Sequence, residues 1–352
     1  MSSSKTRWAL VCLMGLVVLS GCKKPVEVED VLGDVYILSQ GGMGHNNASL
    51  SCYNSQTKQL QNDCFRVKNK RGLGDVGNDL KQYGGKLYCV VTGSNTVEVM
   101  NVSTGESVKQ IPLSNKEPRR IAFWKNKAYV CCLDGTVVQI DTTSLAVEKT
   151  VKVGRNPEDL CVSNDKLYVS NSGWADNLTG GKHDTTVSVI DLNTFAEVKK
   201  IPVGVNPCRI QADDYGNVYV IVVGNYVDVF AEFKCISSSS DTVTHTFDFV
   251  PDVFTISGNT AYLCQFDWAT SSCLVKEFNV ASKQIVKENF FTEAVAIQAP
   301  LGIAVNKSNG DVYISDARNY TESGDVHCFG SNGKKKFTLS VGICPSDIVV
   351  VK

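Results

Sequence analysis

Cys344-Pro345-Ser346-Asp347-Ile348-Val349-Val350-Val351-Lys352 ends the chain as a strand with no partner behind it. Near the other end, Val35-Tyr36-Ile37 reads as the second strand of a repeating unit whose first strand is missing upstream. A chain that begins and finishes inside one structural unit is most simply a closed ring. Residues 346–351 are expected to supply the strand that the N-terminal unit lacks.

The repeats support the ring. One pattern recurs: a Pro or polar turn, an apolar strand, a short polar turn, a strand containing Tyr, a variable loop, an alternating strand often ending in Asp or Asn, and a last strand. In the cleanest copy, Asn156-Pro157 through Gly204, the four strands are expected at 159–163, 166–170, 186–192 and 198–203. Tyr88, Tyr129, Tyr219, Tyr262 and Tyr313 mark the same strand elsewhere. The period is roughly 40 to 50 residues and about seven units fit after Asp34, which signals propeller blades. Period-2 alternation in residues 186–192 fits sheets packed face to face. No amphipathic stretch of helical length stands out. A β-sandwich array or a β-solenoid gives no reason for the last strand to share a unit with residues 34–67. The expected fold is therefore all-β, a seven-bladed β-propeller over residues 34–352, its ring closed by strand 346–351.

Residues 1–21 read as a signal peptide. Lys5 and Arg7 form a charged start, and the apolar run 8–19 is too short for a comfortable membrane span. The run ends in Leu19-Ser20-Gly21-Cys22, which resembles the lipobox of bacterial lipoproteins. That resemblance implies cleavage before Cys22 and its lipidation, with residues 22–33 as a tether. Acids at Glu27, Glu29 and Asp30 resemble the surface-export signal of Bacteroidetes lipoproteins. The implied location is the outer membrane, lipid-anchored and facing the cell surface.

A net charge of −1 gives no electrostatic footprint for nucleic acid. Of the 14 cysteines, Cys89, Cys131, Cys132, Cys161, Cys208 and Cys264 lie in strand-like runs and are expected to act as small buried hydrophobes. Cys131 and Cys132 should face opposite sides of their sheet. Cys52/Cys64 and Cys264/Cys273 flank hairpins, and either pair is placed to bridge. No cysteine pair has zinc or redox spacing.

The phrases Lys-Leu-Tyr-Val-Ser-Asn (166–171), Thr-Val-Ser-Val-Ile-Asp-Leu-Asn-Thr-Phe (186–195) and Val-Gly-Val-Asn-Pro (203–207) resemble the YVTN-type propeller repeat. Together with the lipobox, the chain resembles propeller lipoproteins of Bacteroidetes such as the BtuG proteins. That likeness implies binding of cobalamin (vitamin B12), a corrinoid, and its delivery to a BtuB-like TonB-dependent outer-membrane transporter.

Strand order places the blade-to-blade turns and the second-to-third-strand loops on one face, here called the top. These loops are the chemically richer ones, and binding sites favour loops on a rigid scaffold. The candidate ligand-binding residues are His45, Asn95, Arg119, Asn156, Trp174, Asn206, Arg209, Tyr226, Trp268 and Tyr320. Aromatic faces, carboxamides and guanidinium groups suit cobalamin, which carries amides and a phosphate. They suit glycans equally, so a surface glycan-binding or adhesion propeller stays open beside the corrinoid reading. His45 and His183 are loop imidazoles, but no two histidines show ligand spacing, and no resident metal or catalytic cofactor is expected. The metalloprotease, nucleophile-elbow and Walker motifs are absent, so no enzyme is expected; a propeller hydrolase is the least favoured reading.

Overall fold

The computed structural model describes residues 33–267 and 272–351. The expected signal peptide, Cys22, the tether up to residue 32, and Trp268 lie outside the described residues. The chain forms seven four-stranded antiparallel sheets, arranged as the blades of a β-propeller. Blade 1 joins Pro345–Val350 to Val35–Ser39, Ser49–Asn54 and Gln59–Gln61. The closing strand thus starts one residue before the expected position, at Pro345. The repeat at 156–204 becomes blade 4, with strands Pro157–Ser163, Lys166–Asn171, Thr186–Asp191 and Ala196–Pro202.

The first strands of blades 1 to 7 pack in succession around a central axis. After Pro345–Val350 they are Gly77–Tyr83, Pro118–Trp124, Pro157–Ser163, Pro207–Ala212, Val253–Ser257 and Pro300–Val305. Seven hydrophobic clusters fill the seven gaps between neighbouring blades. This is the consequence of period-2 strands with both faces buried. Cys131 and Cys132 fall in different clusters, on opposite faces as expected.

The recurring sequence marks now have physical roles. The second-strand tyrosines Tyr36, Tyr88, Tyr129, Tyr168, Tyr219 and Tyr313 are all buried. Several reach the next blade: Tyr36 Oη donates to the Val102 carbonyl (3.1 Å), Tyr168 Oη to Asp241 Oδ1 (2.6 Å) and Tyr219 Oη to the Val280 carbonyl (3.2 Å). Each thereby ties a sheet to the outer turn of its neighbour. The Asp or Asn ending the third strand caps the following turn through its own side chain. Asp141 Oδ1 accepts from the Thr143 and Ser144 amides (3.0 and 2.7 Å), and Asp191 Oδ1 from those of Asn193 and Thr194 (both 2.9 Å).

Around the axis, aspartates pin one blade to the next. Asp347 Oδ2 accepts from the Leu80 amide (3.0 Å), Asp79 Oδ2 from Ile121 (2.8 Å) and Asp159 Oδ2 from Ile210 (3.2 Å). Gln211 joins blades 5 and 6 by donating to the Phe254 carbonyl (2.9 Å) and accepting from the Ile256 amide (3.1 Å).

Among the described residues, two short helices, Cys64–Asn69 and Trp174–Leu178, interrupt the β pattern. Both are too short for a helical period to be legible in sequence. The Cys52–Cys64 disulfide ties the first helix to blade 1. Cys89, Cys131, Cys132, Cys161 and Cys264 are buried thiols, and Cys208 is half-buried.

Asp347→Ala leaves the Leu80 amide without its acceptor and Lys81 with Asp79 as its remaining carboxylate. It is expected to lower unfolding stability by about 2–4 kcal/mol. Asp347→Asn keeps an acceptor for the amide and should lose less. Urea unfolding of the two variants checks this ordering; equal losses would remove the amide pin from the account.

Candidate functional site

Two regions are candidates for ligand: the top face and the central channel. The channel encloses about 1230 Å³. Its lining runs from Arg120, Asp159, Arg209 and Asp347 down to the first-to-second-strand turns at Ser257 and residues 306–309. It therefore lies on the side opposite the long loops.

At the upper end of the channel sits a belt of charges. Lys81 Nζ lies 3.0 Å from Asp79 and 3.1 Å from Asp347. Arg120 reaches Asp79 at 3.3 Å and Asp159 at 3.8 Å. Lys81 is deep in the ring, yet its side chain is 44% exposed because it faces the channel. Burial pushes the Asp159 carboxyl up to about 7, against the pull of Arg120. Burial also raises Asp79. It opposes ionisation of Asp347 too, but Lys81, a hydrogen bond with Asp79 and Arg120 outweigh it and hold that carboxyl below its usual range. Acids do gather at the axis, which the sequence reading did not anticipate. In blades 1, 2 and 4 they fall two residues after Pro345, Gly77 and Pro157, each the first residue of its strand, and that shared offset is the signal that identifies them.

On the top face, three side chains from neighbouring blades interlock. Arg119 grips the Glu158 carboxylate with two nitrogens, Nε at 3.1 Å. The Trp174 indole donates to Glu158 Oε2 (3.0 Å), and the Arg119 guanidinium lies 5.9 Å from the Trp174 ring centroid. The loop bearing Trp174 is held from several sides. Arg155 bonds Asp176 (3.0 Å) and the His183 carbonyl (2.9 Å), and Asn156 Oδ1 accepts from the Asp176 amide (3.0 Å). Gly173 has φ 63°, and a Cβ there would meet the Asp184 nitrogen at 2.2 Å, so only glycine fits.

The blade 5 loop is self-supporting. Asn225 Oδ1 accepts from the amides of Val227, Asp228 and Val229 at 2.8 to 3.1 Å. That turn thrusts Tyr226, Val227 and Phe230 into solvent at 81%, 85% and 86% exposure. The other large exposed apolar groups divide cleanly. Met43, Leu178, Val229 and Tyr320 also lie in second-to-third-strand loops. Val108, Val147, Val198 and Val286 are single residues on outermost strands, and Tyr215 lies in a turn on the opposite face. Scattered single residues carry no message, but concentration on one face does.

The remaining sequence candidates fall as follows. His45 is exposed in its loop, and Tyr320 is exposed in the blade 7 loop. Asn95 Oδ1 accepts from the Lys116 and Glu117 amides (3.0 and 2.8 Å), while its own side chain stays half-buried. Asn156 and Asn206 are buried turn residues with positive φ, and Asn156 also donates to the Leu133 carbonyl (3.1 Å). Arg209 lines the channel and donates to the Leu301 carbonyl (3.2 Å), two blades away. The structure thus brings Arg119, Asn156 and Trp174 together and leaves His45, Tyr226 and Tyr320 on separate loops. Sequence reasoning missed Glu158 as the link between Arg119 and Trp174, and missed Phe230. Among the described residues no group of three or more His, Cys, Asp or Glu is placed to hold a metal ion.

Residues 33–342 match a family described as "Domain of unknown function (DUF5074)". No curated protein matches the chain in sequence. Among solved structures, a quinonprotein alcohol dehydrogenase-like protein of Bacteroides thetaiotaomicron is similar at 17% identity and TM-score 0.66, over 90% of this chain and 77% of that one. Hydrazine synthase of Kuenenia stuttgartiensis is similar at 15% identity and TM-score 0.61, over 75% and 86%. The computationally designed Ika8 protein is similar at 14% identity and TM-score 0.58, over 91% of each chain. At these identities the likeness is one of fold.

The belt makes stability pH-dependent. Folded Asp159 keeps its proton up to about pH 7, whereas the unfolded carboxyl releases it near 3.8. The folded state binds more protons in that window, so stability falls as pH rises from 4 towards 7. Asp159→Asn is expected to flatten this decline, as read from urea midpoints at pH 5, 6, 7 and 8. Parallel slopes for parent and variant would remove Asp159 from the explanation.

Proposed function

The chain belongs to the DUF5074 family, and on that premise we propose that it is a binding propeller: a lipid-anchored surface protein that captures a corrinoid on its top face and passes it to a TonB-dependent outer-membrane transporter. One observation carries the reading. The large exposed apolar side chains concentrate on the loops of one face, which also carries the fixed Arg119–Glu158–Trp174 cluster. A face that combines aromatic area with guanidinium and carboxamide groups suits a large amphipathic ligand. The blade 4 and blade 5 loops are held by their own hydrogen bonds, which lowers the ordering cost of capture.

The lipobox ending in Cys22 supports the anchor, and the acids after it support surface display. The transporter follows from the resemblance to the BtuG proteins, as does the choice of cobalamin over a glycan. Nothing in this reading calls for catalysis.

Titration of residues 23–352 with cyanocobalamin is the test. Stoichiometric uptake is expected, with colour retained through gel filtration; no uptake at micromolar concentration overturns the corrinoid assignment and moves the face to glycans. Tyr226→Ala and Phe230→Ala should each weaken binding by roughly tenfold, about 1.4 kcal/mol. Because both side chains are more than four-fifths exposed, their melting temperatures should stay close to the parent's. Cys22→Ser should abolish lipid labelling and release the protein from the membrane fraction.

A further inference from the structure

We propose that Cys264 and Cys273 form a second disulfide, closing the base of the blade 6 connection on the top face. The two sulfurs lie 3.0 Å apart, about 1 Å beyond the bonded distance in a disulfide. Register explains the approach. Cys264 pairs with Val275 and Phe266 pairs with Cys273, so the cysteines are diagonal neighbours on one face of adjacent strands. Both side chains point into the cluster between blades 6 and 7, where no water competes for them. The nine-residue separation resembles the twelve residues between Cys52 and Cys64, which are already joined. That existing bond fits an oxidising compartment, a setting that favours joining two thiols in contact.

The chemistry needs a disulfide-type oxidant, such as oxidised glutathione or the active-site disulfide of a thiol oxidoreductase. One cysteine thiolate attacks a sulfur of that oxidant and expels the first reduced thiol, leaving a mixed disulfide. The second cysteine then attacks the protein sulfur of the mixed disulfide and expels the second. The protein loses two electrons and two protons, and the oxidant gains both as two thiols. In the folded chain, the Cys264–Cys273 hydrogen bond, with burial behind it, pushes the Cys264 thiol well above its ordinary range. The thiolate is the attacking species, so closure belongs to folding, before blade 6 packs on blade 7. Once formed, the bond is shielded by the same burial. It stands independently of which ligand the top face takes.

The experiment is disulfide mapping of the full chain in mild detergent, refolded in oxidised and reduced glutathione. The protein is alkylated under denaturing conditions without reductant and digested with chymotrypsin, which cuts after Phe266 to separate the two cysteines. A linked peptide pair, lighter than the sum of its parts by two hydrogens, is the expected result. In Cys273→Ala, Cys264 should become alkylated where it was protected before. Alkylated Cys264 and Cys273 in the refolded parent overturn the proposal, as does either cysteine bridged to any other. Cys264→Ala/Cys273→Ala should melt about 3–8 °C below the parent; an unchanged midpoint would show that the bond, if mapped, contributes nothing to the fold.

Discussion

Five residue pairs between the two ends of the chain hold the ring shut: Val35 with Val350, Tyr36 with Val349, Ile37 with Ile348, Leu38 with Asp347, and Ser39 with Pro345. Each of the other six blades is continuous in sequence. Blade 1 alone is assembled from distant segments, so its pairing fixes the distance between the chain ends and converts six stacked sheets into a circle. The same strand also makes the next contact round the axis. Asp347 sits within it and accepts the amide of Leu80 in blade 2. Ring closure and blade registration are therefore carried by one segment of six residues.

The axis is where this arrangement is most constrained. Aspartates at the start of first strands satisfy backbone amides of the neighbouring blade, which would otherwise face a channel at an awkward angle. Bringing three carboxylates that close together requires cations, and Lys81 and Arg120 supply them. Burial still outweighs the cations at Asp79 and Asp159, so these acids hold protons well above the usual range. The belt is thus an inter-blade joint with an electrostatic penalty, and the penalty grows as pH rises. At blades 6 and 7 the equivalent positions are Val253 and Gly302, so no carboxylate stands there.

The fold was legible because its signals repeat. The Tyr of the second strand and the Asp or Asn ending the third recur in nearly every unit: the tyrosine ring is buried between blades, and the Asp or Asn caps the turn that follows. The closing strand was legible from an incomplete first unit. The two short helices were not, since five or six residues carry no period. The top face was placed correctly by strand order, but the chemistry within it was only half readable. Arg119 and Trp174 were visible as residue types suited to ligands. That Glu158 joins them depends on the distance between blades 3 and 4, which no local pattern encodes. Asn156 and Asn206 read as polar ligand groups, yet their positive φ and burial show that turns claim them first. Phe230 has no local signal of its outward position, which follows from the Asn225-centred turn.

The top face combines two properties that seldom occur together without a reason. Its blade 4 and blade 5 loops are ordered by their own hydrogen bonds, so they are not loose connections waiting for partners. Asn225 spends its carbonyl oxygen on three amides, and Arg155 spends its guanidinium on Asp176 and a carbonyl. Yet this order is used to hold large apolar groups in water, where each loses the stabilisation that burial would give, about 25 cal/mol per Å². A loop selected only for connection would turn Tyr226 and Phe230 inward or replace them with small polar residues, as the short turns of the opposite face do at Asn164-Asp165 and Gly84-Gly85. Rigid presentation of apolar area is what a preorganised binding surface requires, because the ordering cost is met in the free protein and the apolar area is recovered on contact. The scaffold's stability, set by the axis and the closing strand, is what allows one face to carry that burden.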